Sequence, residues 1–288
     1  MWTGMVFRHI SERVCADTET VGSGNAGAIL LDDRTVVIDA QFAPLARQLR
    51  SNIEKVCKRR ITHLLLTHSH SDHVFGNEVF QDCEIIAHKT LKARMEELTK
   101  SSWSKDSLQK QFAELRNTDP QRAARLENVH IILPTKTFDK EYLLGEGDLK
   151  IEMTYTGGHT ADSSIVYFPH SRTLFAGDLI FSRIYPYGGD PTADPDLWIE
   201  ALNKMKKMNP DIIVPGHGPL CGLDEVDRYT KYILDTKSVM LELIAQGKPE
   251  DQAIIDPSLP KFYEEGAQNR KANTLAHWYR LWKQRTPG

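Results

Sequence analysis

Cysteine is scarce in this sequence and follows no pattern. Cys15, Cys57, Cys83 and Cys221 stand apart, with no CxxC pair and no spacing that frames a disulfide network. Scattered thiols fit a reducing compartment. Neither sign of charge is in large excess: 36 Lys and Arg stand against 39 Asp and Glu, for a net charge of -3. Nucleic acid is therefore not favoured as a partner on charge grounds, although a local basic patch stays open. No window approaches the 18 uncharged apolar residues of a membrane span, so no transmembrane helix is expected. The N-terminal MWTGMVFRHISERV lacks a signal peptide's apolar core, because Arg8, His9 and Glu12 interrupt it. With Met1 present, the expected location is the cytoplasm. Repeats and low-complexity tracts are missing too. What is present, 40% hydrophobic and 26% charged residues in 288, fits an ordinary globular protein of one large domain or two small ones.

Apolar runs and turns organise the chain. Strands are expected over 28–32 and 35–39, joined by a tight turn at Asp32-Asp33-Arg34. Residues 43–56 read as a helix with Leu45, Leu49 and Ile53 on one face. A strand over 62–66, a helix from 74 to 80 and a strand over 83–87 follow. Residues 89–128 are charged and helix-favouring, and Asp119-Pro120 resembles an N-cap with proline at the first helical position. They predict two or three inserted helices, either a solvated cover or a lid. Strands return over 129–133, 149–155, 163–168 and 173–176. A helix over 196–208 carries Trp198, Leu202 and Met205 at helical spacing, and 211–214 is a last strand. The remainder is mostly helical, over 224–246 and 272–284. Two blocks of strands, each followed by helices, predict two packed sheets with helices outside.

Residues 67–73 read T-H-S-H-S-D-H, directly behind Leu64-Leu65-Leu66. His68, His70, Asp72 and His73 are four potential metal ligands in six positions. They form either a histidine-rich surface loop or half of a metal site whose other half lies elsewhere. Three stretches offer that half: Thr156-Gly157-Gly158-His159-Thr160, Ala176-Gly177-Asp178 and Pro215-Gly216-His217-Gly218. Each sets a His or Asp beside glycine just after an apolar strand, where glycine allows tight turns and close approach. Imidazole and carboxylate suit zinc, and also iron or manganese. Seven ligands exceed one tetrahedral zinc and suit two metals, which at roughly 3.5–4 Å can share a hydroxide.

The ordered set H-x-H-x-D-H, G-G-H, G-D and P-G-H-G resembles the metallo-β-lactamase superfamily, across about residues 20–220. The resemblance implies an α/β fold, an αββα sandwich of two mixed β-sheets with outer helices. It implies a catalytic domain over 1–222, with the helical insertion at 89–128, and a helical extension over 223–288 packed on it. Carried over by position, His68, His70 and His159 would hold one metal. Asp72, His73 and His217 would hold a second, with Asp178 between the two. Two Zn2+ are implied, with Fe or Mn as alternatives, and Asp72 and Asp178 would serve catalysis as well as binding. A metal-bridging hydroxide would attack an acyl or phosphoryl centre. Asp39 resembles a position that supports the metal loops; a plain strand-end turn is the equal alternative.

Asp178, AGDLIF and the later PGHGP resemble the glyoxalase II-like and general metallo-hydrolase branch, whose glyoxalase II-like members hydrolyse thioesters. Lactamases of clinical type usually carry cysteine or serine at the place of Asp178. The basic, tyrosine-bearing tail of glutathione thioester recognition is missing from EEGAQNRKANTLAHWYRLWKQ. The implied function is hydrolysis of a small ester, thioester or lactam, with β-lactamase activity among the alternatives. A phosphodiesterase or nuclease of the same fold is another, weakened by the lack of a basic clamp. An iron-dependent redox enzyme is a third; in its flavin form it needs a further domain, and the roughly 70 residues after His217 are too short and helical for one. A non-catalytic binding module is disfavoured by the complete ligand set. The loop FSRIYPYGGDP offers Tyr185, Tyr187 and Asp190 as a substrate wall, against the reading of plain aromatic packing. His9, His63, His88, His130, His170 and His277 are expected without ligand duty, with supporting roles open to His63 and His88. Cys221 is expected to be structural. Phe262, Tyr263, Trp278, Tyr279 and Trp282 are expected to pack over the site or to form a homodimer interface.

Overall fold

The computed structural model describes residues 7–18, 20, 22–57, 59–263 and 268–286. The first six residues of the stretch weighed for a leader lie outside the described residues. One sheet contains β1 (Arg8–Ser11), β2 (Val14–Asp17), β3 (Ala26–Leu30), β4 (Thr35–Ile38), β5 (Ile61–Leu65), β6 (Glu84–His88) and β7 (Lys136–Phe138), in that spatial order. It is antiparallel as far as β4 and parallel from β4 onward. The other contains β8 (Glu141–Leu144), β9 (Ile151–Tyr155), β10 (Ser164–Phe168), β11 (Thr173–Phe181) and β12 (Ile212–His217), also neighbours in chain order. It is antiparallel except for the parallel β11–β12 pair. The helices are α1 (Ala43–Val56), α2 (Ser71–Val74), α3 (Lys89–Thr99), α4 (Lys105–Thr118), α5 (Pro120–Leu126), α6 (Pro195–Met208), α7 (Leu223–Ala245), α8 (Glu250–Ala253) and α9 (Gln268–Arg285).

Strand periodicity explains the layering. Alternate residues of a strand point to opposite faces, and here both faces are covered. Val36 and Ile38 of β4 enter the core between the sheets, with Phe168, Phe175 and Val214 from the second sheet. Val37 between them joins Leu49 and Ile53 of α1 in a second core. Leu65 and Leu64 divide in the same way, as do Phe175 and Leu174. Strands buried on both faces read as unbroken apolar runs, which is why Leu64-Leu65-Leu66 shows no alternation. A third core places the second sheet against α6, α7 and α9 through Trp198, Tyr229 and Trp278. The result is the expected αββα sandwich.

Several expected elements differ in detail. Residues 129–133 form no strand. Two of their backbone groups are partnered by side chains: the amide of His130 donates to Glu78, and the carbonyl of Ile132 accepts from Asn77 at 2.9 Å. Pairing with β6 falls to β7, a few residues later. The expected 74–80 helix starts earlier as α2 and continues as a 3-10 turn over Phe75–Phe80. The insertion resolves into α3, α4 and α5, with Asp119 capping α5 by accepting from the amide of Arg122 at 3.0 Å. The strand expected to stop at 176 runs on to Phe181, with its ladder register broken around Gly177. The tail aromatics neither cover the site nor form an exposed interface. Trp278, Trp282, Tyr279 and Phe262 are buried within the chain, at 0 to 7% exposure, with Tyr263 packed against them.

Candidate metal centre

Both sheets deliver their ligands to one edge. T-H-S-H-S-D-H leaves β5, His159 follows β9, Asp178 sits past the break in β11, and His217 closes β12. The amide of Ser164 donates to the carbonyl of Thr67 at 2.8 Å, so the first loop is tied to the second sheet at this edge. Asn25 ties it from the other side. Its amide and side chain donate to the carbonyls of Gly216, Pro215 and Gly218 at 2.7, 2.8 and 2.9 Å.

The structure brings all seven expected ligands together. His68, His70, His159 and Asp178 form one group and Asp72, His73 and His217 another, each with ligand atoms within 4.8 Å. Asp178 faces both. Its Oδ1 is 3.1 Å from Nε2 of His73, while its Oδ2 is 3.6, 3.5 and 3.3 Å from Nε2 of His68, His159 and His217. Nε2 of His217 also lies 3.3 Å from Asp72. His68, His73, His159 and Asp178 are buried, whereas the side chains of His70, Asp72 and His217 keep 24, 22 and 21% exposure and open the cluster to solvent. Glycine makes the approach possible. A Cβ on Gly216 would meet Oδ1 of Asp178 at 2.0 Å, and one on Gly24 would meet the His73 ring at 2.3 Å.

A ring of partners holds the ligands from behind. Nδ1 of His73 donates to Asp39 at 2.8 Å, and Asp39 also accepts from the amide and hydroxyl of Thr67 at 2.8 and 2.7 Å. The Thr67 hydroxyl lies 3.1 Å from Nδ1 of His68. Asp39 does this in the left-handed conformation, at φ 58°, which Asp adopts more readily than most residues. Asp190 faces Nε2 of His70 at 3.1 Å, which turns Nδ1 of that ring toward His159, 3.0 Å away. Asp162 accepts from the amide and hydroxyl of Ser69 and from the hydroxyl of Thr160, tying the loops of His70 and His159 together. The loop carrying Asp190 is pinned by α9: Thr274 accepts from the amide of Gly188 at 2.8 Å, and His277 bonds the carbonyl of Ala193 at 2.8 Å.

The donor set fits cations. Nε2 of His68, Nε2 of His73 and Oδ1 of Asp178 are buried with no hydrogen-bond partner among the described residues. His73 and Asp178 face each other at 3.1 Å, and a cation among the three atoms would satisfy them all. The electrostatics agree. Burial opposes the charged form of His73, but Asp178, Asp39 and Asp72 outweigh it and raise its pKa well above the usual imidazole value. His217 is likewise opposed by burial yet raised to about 9 by Asp178 and Asp72. Burial pushes the Asp178 carboxyl up, and the surrounding histidines, His217 first, bring it well below the ordinary carboxylate range. Where the carboxylates converge, at His73 and His217, the site favours positive charge, whereas burial lowers the pKa of His68 and His159.

Other expected residues divide. Tyr187 lies against the cluster, its ring centroid 6.1 Å from that of His70 and 6.4 Å from that of His159. Tyr185 does not. It is 1% exposed and its hydroxyl meets that of Tyr232 at 2.5 Å, so it belongs to the core beneath the loop and offers no wall to a substrate. His63 bonds Thr62 and faces Glu84, outside the cluster. His88 stacks on Tyr155 at 3.9 Å and bonds the carbonyl of Asp139. The Cys221 sulfur points to the carbonyl of Ile213, and burial, with Glu225, pushes its thiol up to about 12. Asn25 and Asp162 gave no signal in the sequence, because Asn25 bonds residues 190 or more positions away and Asp162 reaches Ser69, 93 positions away.

Known proteins give the same picture. The family described as "Metallo-beta-lactamase superfamily" matches residues 20–217, more than half of the chain. A metallo-beta-lactamase type 2 of Bacillus cereus is 27% identical over 188 residues, covering 64% of this chain and 62% of that protein. A beta-lactamase-like protein 2 homolog of Caenorhabditis elegans is 24% identical over 234 residues, covering 80% of this chain and 65% of that protein. The chain thus spans somewhat less than two thirds of these relatives. A solved metallo-beta-lactamase from Pontibacter korlensis superposes with a TM-score of 0.60 at 20% identity, covering 81% of this chain and 100% of that one, which shows the fold. No helix among the described residues is long and apolar enough to cross a membrane. The chain belongs to the metallo-β-lactamase superfamily, and its His/Asp cluster groups residues that could hold metal ions.

Proposed function

We propose that the protein holds two zinc ions and hydrolyses a small ester, thioester or lactam. The observation that carries this reading is the double address of Asp178, with one oxygen on His73 and the other on His68, His159 and His217. A carboxylate between two half-sites suits a bridge between two cations. His68, His70 and His159 would hold one, and Asp72, His73 and His217 the other; iron and manganese compete for the same donors. Bound metals of this kind lower the pKa of water to about 7 and polarise a substrate oxygen.

The chain's own residues supply the rest. Asp39 and Thr67 fix the rings of His73 and His68, and Asp190 fixes that of His70. Asp72, the more open carboxylate, takes the proton of the attacking water. Tyr187 forms one wall for a small-molecule substrate. The aspartate at 178 supports a thioester, and the name of the Bacillus cereus relative supports a lactam. Four free cysteines support a cytoplasmic location. Metal analysis joined to a panel of thioesters, lactones, lactams and phosphodiesters tests the reading. Two zinc ions per chain and acyl hydrolysis are expected. A protein without tightly bound transition metal, one that cleaves only phosphodiesters, or an iron protein that consumes oxygen overturns it.

A further inference from the structure

Two cavities lie beneath the helical insertion and share walls. The smaller, about 220 Å³, reaches Asp72 and Ser71 beside the metal centre. The larger, about 860 Å³, lies between α4, α5 and the extended segment 127–132. Trp103, Leu108 and Leu126 line both. Phe112, Val129, Ile131 and Ile132 add to those three in the larger one. Those three side chains adjoin both spaces; Gln111, Arg122 and Arg125 also line the smaller one, and Lys105, Gln109 and Glu127 stand among the apolar side chains of the larger.

Two features argue for a ligand here. Trp103, Leu126, Val129, Ile131 and Ile132 are only partly buried, at the margin of the core beneath α1 and α3. Partly exposed apolar side chains gathered around a concavity mark a binding site, and the volume falls within the roughly 300–1,000 Å³ of ligand pockets. Segment 129–133 also stays off the sheet, held by Asn77 and Glu78. Its apolar side chains therefore face the insertion helices across open space instead of packing in a ladder.

We propose that the larger cavity takes the apolar acyl chain of the substrate, with the scissile carbonyl beside Asp72. The inference rests on the hydrolase reading above and narrows its substrate to an ester or thioester of a medium or long acyl chain. In the reaction the oxygen of water bonds to the acyl carbon and the bond to the leaving oxygen or sulfur breaks. One proton of water goes to the leaving alcohol or thiol, and the other is released as the acid ionises to its carboxylate.

The experiment measures kcat/KM of the metal-loaded protein on acyl thioesters from two to twelve carbons. It compares the native chain with Phe112→Glu and Ile131→Glu, two partly exposed positions outside the metal centre. Binding of dodecanoate is followed in parallel by calorimetry. In the native protein kcat/KM should rise about fourfold per methylene until the cavity is filled. Both variants should flatten that rise, keep native turnover of the acetyl substrate, and lose dodecanoate binding. Flat chain-length dependence with good acetyl turnover overturns the inference and leaves the hydrolase reading standing. If no thioester is cleaved at any length, the thioester form of the hydrolase reading falls and dodecanoate decides: binding abolished by both variants upholds an acyl-chain site, and no binding overturns it. A native homodimer that Phe112→Glu dissociates also overturns it, because the cavity would then be filled by a second copy.

Discussion

Asp39 and His73 form a buried pair in which the imidazole Nδ1 donates to the carboxylate at 2.8 Å, and Asp39 holds a left-handed backbone conformation to do so. The same carboxylate accepts from the Thr67 hydroxyl at 2.7 Å, which in turn lies beside the His68 ring. One residue thus orients a ligand of each half-site. Partners of this kind are typically worth 10–100-fold in metal affinity. Asp39→Asn should weaken zinc binding by about that factor, read by competition with a chromogenic chelator. An unchanged affinity would leave Asp39 a simple strand-end residue.

Gly216 makes a prediction from sterics alone. Its missing Cβ would stand 2.0 Å from Oδ1 and 2.6 Å from the amide nitrogen of Asp178. The amide belongs to backbone, so a side chain swing cannot relieve both contacts. Gly216→Ala should cost about 1–3 kcal/mol, seen as a Tm loss of about 3–10 °C, and should displace Asp178 from the cluster. A variant with native Tm and native metal content would mean that the two loops are looser than this geometry requires.

Asp162 joins the loops of His70 and His159 through Ser69 and Thr160. Asp162→Ala leaves three donors without their acceptor, at about 1–3 kcal/mol each where they stay dry. Tm should fall, and the metal of the His68, His70 and His159 half-site should be lost more readily on dialysis. Loss of stability with no change in metal retention would assign Asp162 to the fold alone.

Proton competition sets the pH dependence. In the metal-free protein His217 titrates near 9, because Asp178 and Asp72 outweigh its burial. A raised pKa of this kind stabilises the metal-free fold fully below the ordinary imidazole value, and that stabilisation is lost as pH rises through about 9. A metal must displace that proton. Zinc affinity should therefore tighten as pH climbs from neutrality toward 9, by up to about tenfold per unit for one proton released. Calorimetry in buffers of different ionisation enthalpy counts the protons. No proton release at pH 7 would remove His217 from the ligand set.

Much of the sandwich was legible because its strands are buried on both faces and stand out as Val36-Val37-Ile38, Leu64-Leu65-Leu66 and Ile212-Ile213-Val214. Residues 129–133 carry the same signal yet form no strand; Glu78 and Asn77 bond two of their backbone groups, and Val129, Ile131 and Ile132 line a cavity. The seven clustered residues were legible through their order and their glycines. Their supports were less so. Asn25, Asp162 and Asp190 reach partners 93 to 193 positions away, and no local pattern encodes such a contact. Tyr185 and Tyr187 illustrate the limit at short range. They are two residues apart in one loop, but only Tyr187 faces the cluster, while Tyr185 turns inward to Tyr232.

Metal counting on single-site variants tests the central claim most directly. The native protein should contain two zinc ions per chain by mass spectrometry under non-denaturing conditions. Asp72→Ala and His217→Ala should each retain one and lose most hydrolysis while keeping the native circular dichroism spectrum. Asp178→Asn should weaken both sites together. A native protein with no tightly bound transition metal, or variants that keep the native count and turnover, would contradict the two-metal account.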